Sequence, residues 1–189
     1  ITGQKKLAIK LEGHGREEIH EKISIDRTVG WFTNVYTVTL ECSEDNDKAI
    51  INAKDTIRNV PNMGMGFGYV DHETMPDICF NYLGDFGKKY NGQSVIYSCG
   101  ESISGENTLP DDITINGCVT NSKLIFNIIS SSKKYSQEFI DRFKIDFVNS
   151  VITLADFCND VDKKQKTITD LRDKELEDSE LDILNDLFS

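Results

Sequence analysis

Three short segments carry side chains of a type and spacing suited to chemistry. The first is Glu12-Gly13-His14-Gly15-Arg16-Glu17. It puts a carboxylate at the end of a strand-like run, with glycines that allow close approach of backbone or ligand and an arginine behind. Read alone, it is also a strand-terminating turn with a surface salt bridge. The second is Arg27-Thr28-Val29-Gly30-Trp31-Phe32-Thr33, which holds the only tryptophan; aromatics after a glycine line a tunnel or pair in a core. The third joins the glycine-alternating stretch Pro61–Tyr69 to Phe80-Asn81-Tyr82-Leu83-Gly84. Its glycines are not a dinucleotide fingerprint, because no βαβ unit surrounds them.

The elements that must hold these segments follow from periodicity. Lys5 to Glu12 reads as a strand ending at Gly13, and a polar stretch from Glu17 to Lys22 as a helical turn or two. Val29 to Leu40 is β-branched and aromatic and reads as extended. Asp45 to Asn59 repeats Ala49, Ile50, Ala53 and Ile57 on one face, has acidic residues at its start and is stopped by Pro61, so it predicts a helix. Ile78–Leu83, Val95–Cys99, Ile113–Val119 and Leu124–Ile129 predict strands, the last two joined by a hairpin turn at Thr120–Lys123. Ser136 caps a helix with Phe139, Ile140, Phe143, Phe147, Val148 and Val151 on its apolar face. The order predicts an α/β (α+β) lobe, a mixed β-sheet packed with helices.

Length and charge set further bounds. The 189 residues suit one domain with a tail, and a net charge of −11 with no basic stripe argues against a nucleic-acid partner. No apolar run is long enough to span a membrane. Cys42, Cys79, Cys99, Cys118 and Cys158 show no metal or redox spacing and His14, His20 and His72 are scattered, so no metal is expected. Reduced cysteines and a cytoplasmic location are expected. Residues 1–158 read as the lobe and 159–189 as a polar linker and tail. The tail, 170–189, holds eight acidic and two basic side chains, yet Leu176, Ile183, Leu184, Leu187 and Phe188 fall near one helical face. It reads as an acidic amphipathic helix that either folds back on the lobe or docks a basic partner.

Taken in order, EGHGRE at 12–17, RTVGWFT at 27–33, the PNxGxGFGY stretch at 61–69 and FNYLG at 80–84 resemble the motif series of epimerization domains of nonribosomal peptide synthetases, as far as about Phe157. Related condensation domains share several of these motifs. The family's tandem-histidine motif, HHxxxDG, is missing, and the chain starts at Ile1. The resemblance therefore implies the C-terminal lobe of a chloramphenicol-acetyltransferase-like fold, with the active-site tunnel between two lobes.

The reaction implied is inversion, L to D, of the α-carbon of an aminoacyl or peptidyl thioester on the phosphopantetheine arm of a carrier protein. On this resemblance Glu12 handles a proton, opposite a histidine on the other lobe. Asn81 and Tyr82 line the enolate site, Trp31 lies in the tunnel wall or adjacent core, and His14 and Arg16 hold the Glu12 loop. The isolated lobe is expected to be inactive. The expected partners are the N-terminal lobe, the upstream peptidyl carrier protein and, through 170–189, a downstream synthetase. Peptide-bond formation by a condensation domain and a non-catalytic docking module are the alternatives. Gly100–Asp112 is the candidate for the latch that crosses to the other lobe.

Overall fold

The computed structural model describes residues 3–18, 20–69, 75–86, 104, 106–161, 167–171 and 181. Five strands, β1 (Lys6–Gly13), β2 (Asn34–Glu41), β3 (Ile78–Asp85), β4 (Ile113–Thr120) and β5 (Lys123–Ser130), form one sheet in the order β2-β1-β3-β4-β5. The outer pairs, β1–β2 and β4–β5, are antiparallel, whereas β1–β3 and β3–β4 are parallel. The mixed sheet expected from the sequence is therefore present, with its parallel seam at the centre.

Strand register sorts the side chains onto two faces. Leu11, Tyr36, Val38, Ile113 and Ile115 are buried on one face, where Ile57, Val60, Phe67 and Phe80 join the cluster around Tyr36. This face is covered by α1 (Asn46–Arg58) and α2 (Gln137–Asp160). Asp45 caps α1 by accepting from the Asp47 and Lys48 amides, and Ser136 caps α2 by accepting from Phe139. Phe147 of α2 meets Phe126 of β5 edge-on, with centroids 4.9 Å apart.

Several boundaries differ from the sequence reading. β2 begins at Asn34, not Val29, because Val29 and Trp31 lie in an irregular loop, 100% and 89% exposed. Residues 21 and 22 make a turn; no helix forms over Glu17–Lys22 in the described residues. The glycine-alternating stretch contains two 3-10 turns, Pro61–Gly64 and Phe67–Tyr69. The first has Asn62 and Met63 at φ 49° and 51°, so it is a kinked turn and not a regular helix. The β4–β5 hairpin turns through Asn121 and Ser122, both left-handed, as a two-residue loop requires.

The strand expected at Val95–Cys99 lies outside the described residues, as do most of the tail and part of the Gly100–Asp112 segment. α2 continues to Asp160, past the expected start of the linker at Asn159. Beyond it a helical turn, α3 (Ile168–Leu171), docks on α1. Thr167 and Thr169 hydroxyls reach Asp55 Oδ1 at 2.9 and 2.5 Å, and Lys54 Nζ reaches Asp170 Oδ2 at 2.6 Å. Arg58 pairs with the other Asp170 oxygen. The root of the tail thus folds back on the lobe.

Candidate active site

Glu12 stands where β1 ends. Its neighbour across the antiparallel pair is Val35, and on the parallel side β1 and β3 run together through Lys10↔Cys79 and Leu11↔Phe80. Continuing that register puts Cys79 and Asn81 on the same face as Lys10 and Glu12. Both reach the carboxylate: Asn81 Nδ2 donates to Glu12 Oε2 at 2.9 Å, and the Cys79 thiol faces Oε1 at 3.9 Å. Burial above all, then the Asp111 and Glu12 carboxylates, pushes the Cys79 thiol up to about 11. It is a neutral donor at physiological pH, not a nucleophile.

Beneath Glu12, Lys10 is buried and pairs with Asp111, each side chain only 10% exposed. An unpaired cation there would be costly, so the pair ties β1 to the segment entering β4. Sequence reading passed over this pair. The signal available was a lysine two residues before Glu12, on the same face of the strand and flanked by Ile9 and Leu11. It also passed over Cys79, read there only as a reduced cysteine without metal or redox spacing.

Behind Glu12 the chain turns sharply. The His14 ring accepts from the Arg16 amide at 3.0 Å through Nδ1, and its Nε2 lies 3.0 Å from Glu17 Oε1. Gly15 has φ +63°, and a Cβ there would stand 1.6 Å from the Phe32 carbonyl oxygen, so only glycine fits. Arg16 donates to three carbonyls, Ile25 at 2.8 Å, Thr28 at 3.1 Å and Gly30 at 3.3 Å, and its guanidinium lies 4.4 Å from the Phe32 ring centre. One side chain therefore gathers the EGHGRE turn and the RTVGWFT loop into a single unit.

The third segment closes over the same end of the sheet. Asn34 donates to the Met63 carbonyl at 3.0 Å, and a Cβ on Gly64 would stand 2.2 Å from the Tyr36 ring. The result is a cleft of about 560 Å³ lined by Glu12, Gly13, His14, Glu17, Thr33, Tyr36, Met63, Asn81, Tyr82, Leu83 and Gly84. Burial, and then the nearby Glu17, raises the Tyr36 phenol above its ordinary value, so it stays neutral. The cleft lies in the volume range of small-molecule sites.

The structure thus brings Glu12, His14, Asn81 and Tyr82 to one cleft, with Arg16 behind it. Asn81 and Tyr82 are consecutive in β3 and point to opposite faces, Asn81 toward Glu12 and Tyr82 toward Gly117 and Phe126. Trp31 is not in a core of this lobe: it is exposed and does not line the cleft. Chemically, the cleft offers a carboxylate with both oxygens engaged by neutral donors, beside a half-exposed tyrosine. That set suits proton transfer. Among the described residues no group of three or more His, Cys, Asp or Glu side chains is arranged to hold a metal. No described helix is long and apolar enough to cross a membrane.

Comparison with known proteins gives this arrangement a family. The condensation domain family matches residues 1–177. Surfactin synthase subunit 1 of Bacillus subtilis (strain 168) is 33% identical over 99% of this chain, and gramicidin S synthase 1 of Brevibacillus brevis is 32% identical over 97%. The chain spans only 6% and 19% of those two proteins. Among solved structures, the epimerization domain from the third module of tyrocidine synthetase B superposes with a TM-score of 0.71 and 26% identity, over 82% of this chain and 38% of that one. A starter condensation domain of the rhizomide synthetase, a double mutant, matches with a TM-score of 0.51 and 13% identity over the same shares, which speaks to the fold alone. The fold is that of a condensation-domain lobe, and the chain belongs to the condensation domain family.

Proposed function

We propose that this chain is the C-terminal lobe of an epimerization domain of a nonribosomal peptide synthetase, and that it inverts the α-carbon of a carrier-bound aminoacyl or peptidyl thioester. The observation that carries the proposal is Glu12, presented at the strand end in the cleft and gripped by Asn81. Two further findings support it: the ordered series of four motifs, and a likeness to the tyrocidine synthetase epimerization domain well above that to a starter condensation domain.

Inversion needs a proton to leave one face of the α-carbon and another to arrive on the opposite face. One carboxylate held at 2.9 Å by an amide does not reach both faces. A second proton-handling group must stand across the tunnel, and the N-terminal lobe is where the family's histidine motif would supply it. Glu12 is exposed on this lobe. A carboxylate open to water is a weak base toward a carbon acid, so the second lobe must cover it. The enolate oxygen needs donors: Asn81, on the Glu12 face, is the first candidate, and Tyr82, whose side chain leaves the opposite face of β3, is the second. Because Asn81 already donates to Glu12, it serves that role with its second N–H or by exchanging partners. His14 and Arg16 shape the loop, and exposed Trp31 belongs to the tunnel wall, which only the second lobe completes.

In this reading residues 1–158 are the lobe and 159–189 the linker and acidic tail, and the isolated lobe is inactive. The phosphopantetheine arm belongs to the upstream peptidyl carrier protein, the tail meets a downstream synthetase, and the protein works in the cytoplasm. The second reading is a peptide-bond-forming condensation domain, favoured by the family that matches. A non-catalytic docking lobe is the third.

The test uses the parent protein with both lobes. Its carrier is loaded with an L-aminoacyl group in heavy water, and α-deuterium and the chirality of the released acid are followed. Deuterium uptake with D-product, both lost in Glu12→Gln while the fold is kept, is the expected result. Amide formation between two loaded carriers without exchange would establish the condensation reading instead.

A further inference from the structure

Met63 occupies a backbone position that neither folding nor packing asks a methionine to fill. Its φ is 51° and that of Asn62 is 49°. Left-handed backbone is unfavourable for an ordinary L-residue, whereas glycine takes it freely and asparagine is tolerated. The turn cannot relax, because the Asn34 amide holds the Met63 carbonyl at 3.0 Å and Gly64, at φ +80°, lies flat on the Tyr36 ring. A core role does not explain the side chain either, since the residue is 40% exposed. What it does is line the Glu12 cleft, together with Leu83 and Tyr82, which are 53% and 52% exposed. Strain that is held in place at the wall of a ligand cleft is the pattern of a substrate contact.

We propose, resting on the epimerase reading above, that Met63 determines specificity: with Leu83 it forms the apolar wall for the side chain on the α-carbon. The substrate class is then thioesters of neutral amino acids with long aliphatic or aromatic side chains. The thioether is soft and adaptable, so the wall accepts several apolar shapes and not one. Glu12 and Glu17 on the same cleft oppose a substrate that brings its own carboxylate.

The test measures α-proton exchange in heavy water for the two-lobe parent protein with its carrier loaded in turn with L-Phe, L-Leu, L-Ala and L-Asp. The wild type should act on Phe and Leu faster than on Ala, and on Asp slowest. Met63→Gly suits the left-handed backbone; it should lower kcat/KM for Phe and Leu roughly tenfold while leaving Ala within about twofold. Met63→Leu should keep the wild-type order. Equal losses on all four substrates, or no change on any, would overturn the assignment of Met63. Exchange with none of the four in the wild type, alongside amide formation, would instead overturn the epimerase reading itself.

Discussion

Asn81 and Glu12 meet across the parallel seam of β1 and β3, with the Asn81 amide nitrogen 2.9 Å from Glu12 Oε2. Their strands are far apart in sequence, and the contact exists only because β3 lies beside β1 in the sheet. On its other oxygen the carboxylate meets the Cys79 thiol at 3.9 Å. It is therefore aimed by two donors on one strand, and the backbone of β3 decides where it points.

Removing the amide should free the carboxylate without emptying the cleft. On the proposed epimerase function, Asn81→Ala in the two-lobe protein is expected to lower kcat for α-proton exchange by one to two orders of magnitude, with KM within about twofold, as for loss of an interaction that matters in the transition state. Asn81→Asp sets a like charge beside Glu12, so its rate should fall further at neutral pH and recover in part as the pH is lowered. A pH profile for Asn81→Asp parallel to that of the wild type would show that the amide only fills space.

Arg16 is the second point at which the cleft rests on a scaffold contact. Three carbonyls of residues 25–30 and the Phe32 ring all rest on its guanidinium. Lysine keeps the charge but has no planar fork to serve three acceptors and stack on a ring. Arg16→Lys should speed amide hydrogen exchange over residues 25–32 and lower the unfolding free energy by roughly 1–3 kcal/mol. Unchanged exchange in that loop would mean that the loop holds itself.

The sequence carried much of this. Both long helices were legible because their apolar residues recur at helical spacing and Asp45 and Ser136 cap them. The Glu12 segment and the Pro61–Tyr69 stretch were legible because glycine is demanded by close approach: Gly15 against the Phe32 carbonyl, Gly64 against the Tyr36 ring. Other features were not legible. Val29, Trp31 and Phe32 have strand propensity, but Arg16 satisfies the carbonyls there and the segment never joins the sheet. Consecutive left-handed residues at Asn62 and Met63 have no local signal, since their conformation is set by Asn34 and Tyr36 from another element. The Lys10–Asp111 pair and the seat of Thr167 and Asp170 on α1 are likewise products of topology.

That seat gives a pH-dependent prediction of definite sign. Burial opposes ionisation of Asp170, but hydrogen bonds from Arg58, Lys54 and the Thr167 amide outweigh it and hold the carboxyl well below the usual carboxylate range. A carboxyl whose folded-state value is depressed adds stability at pH values above its unfolded value, near 3.9 for aspartate, and loses that stability as the pH falls toward the folded value. Wild type should therefore exceed Asp170→Asn in urea midpoint by a constant margin from about pH 5 to 7, with the margin shrinking steadily below about pH 4. Hydrogen exchange at residues 167–171 should report the same release locally, fast in Asp170→Asn at neutral pH and fast in wild type only in acid. The ion pairs are partly shielded from solvent, with the Asp170 side chain 22% exposed, so moderate salt should narrow the margin without abolishing it. A margin independent of pH would show that ionisation of the Asp170 carboxyl adds nothing to the stability of this seat.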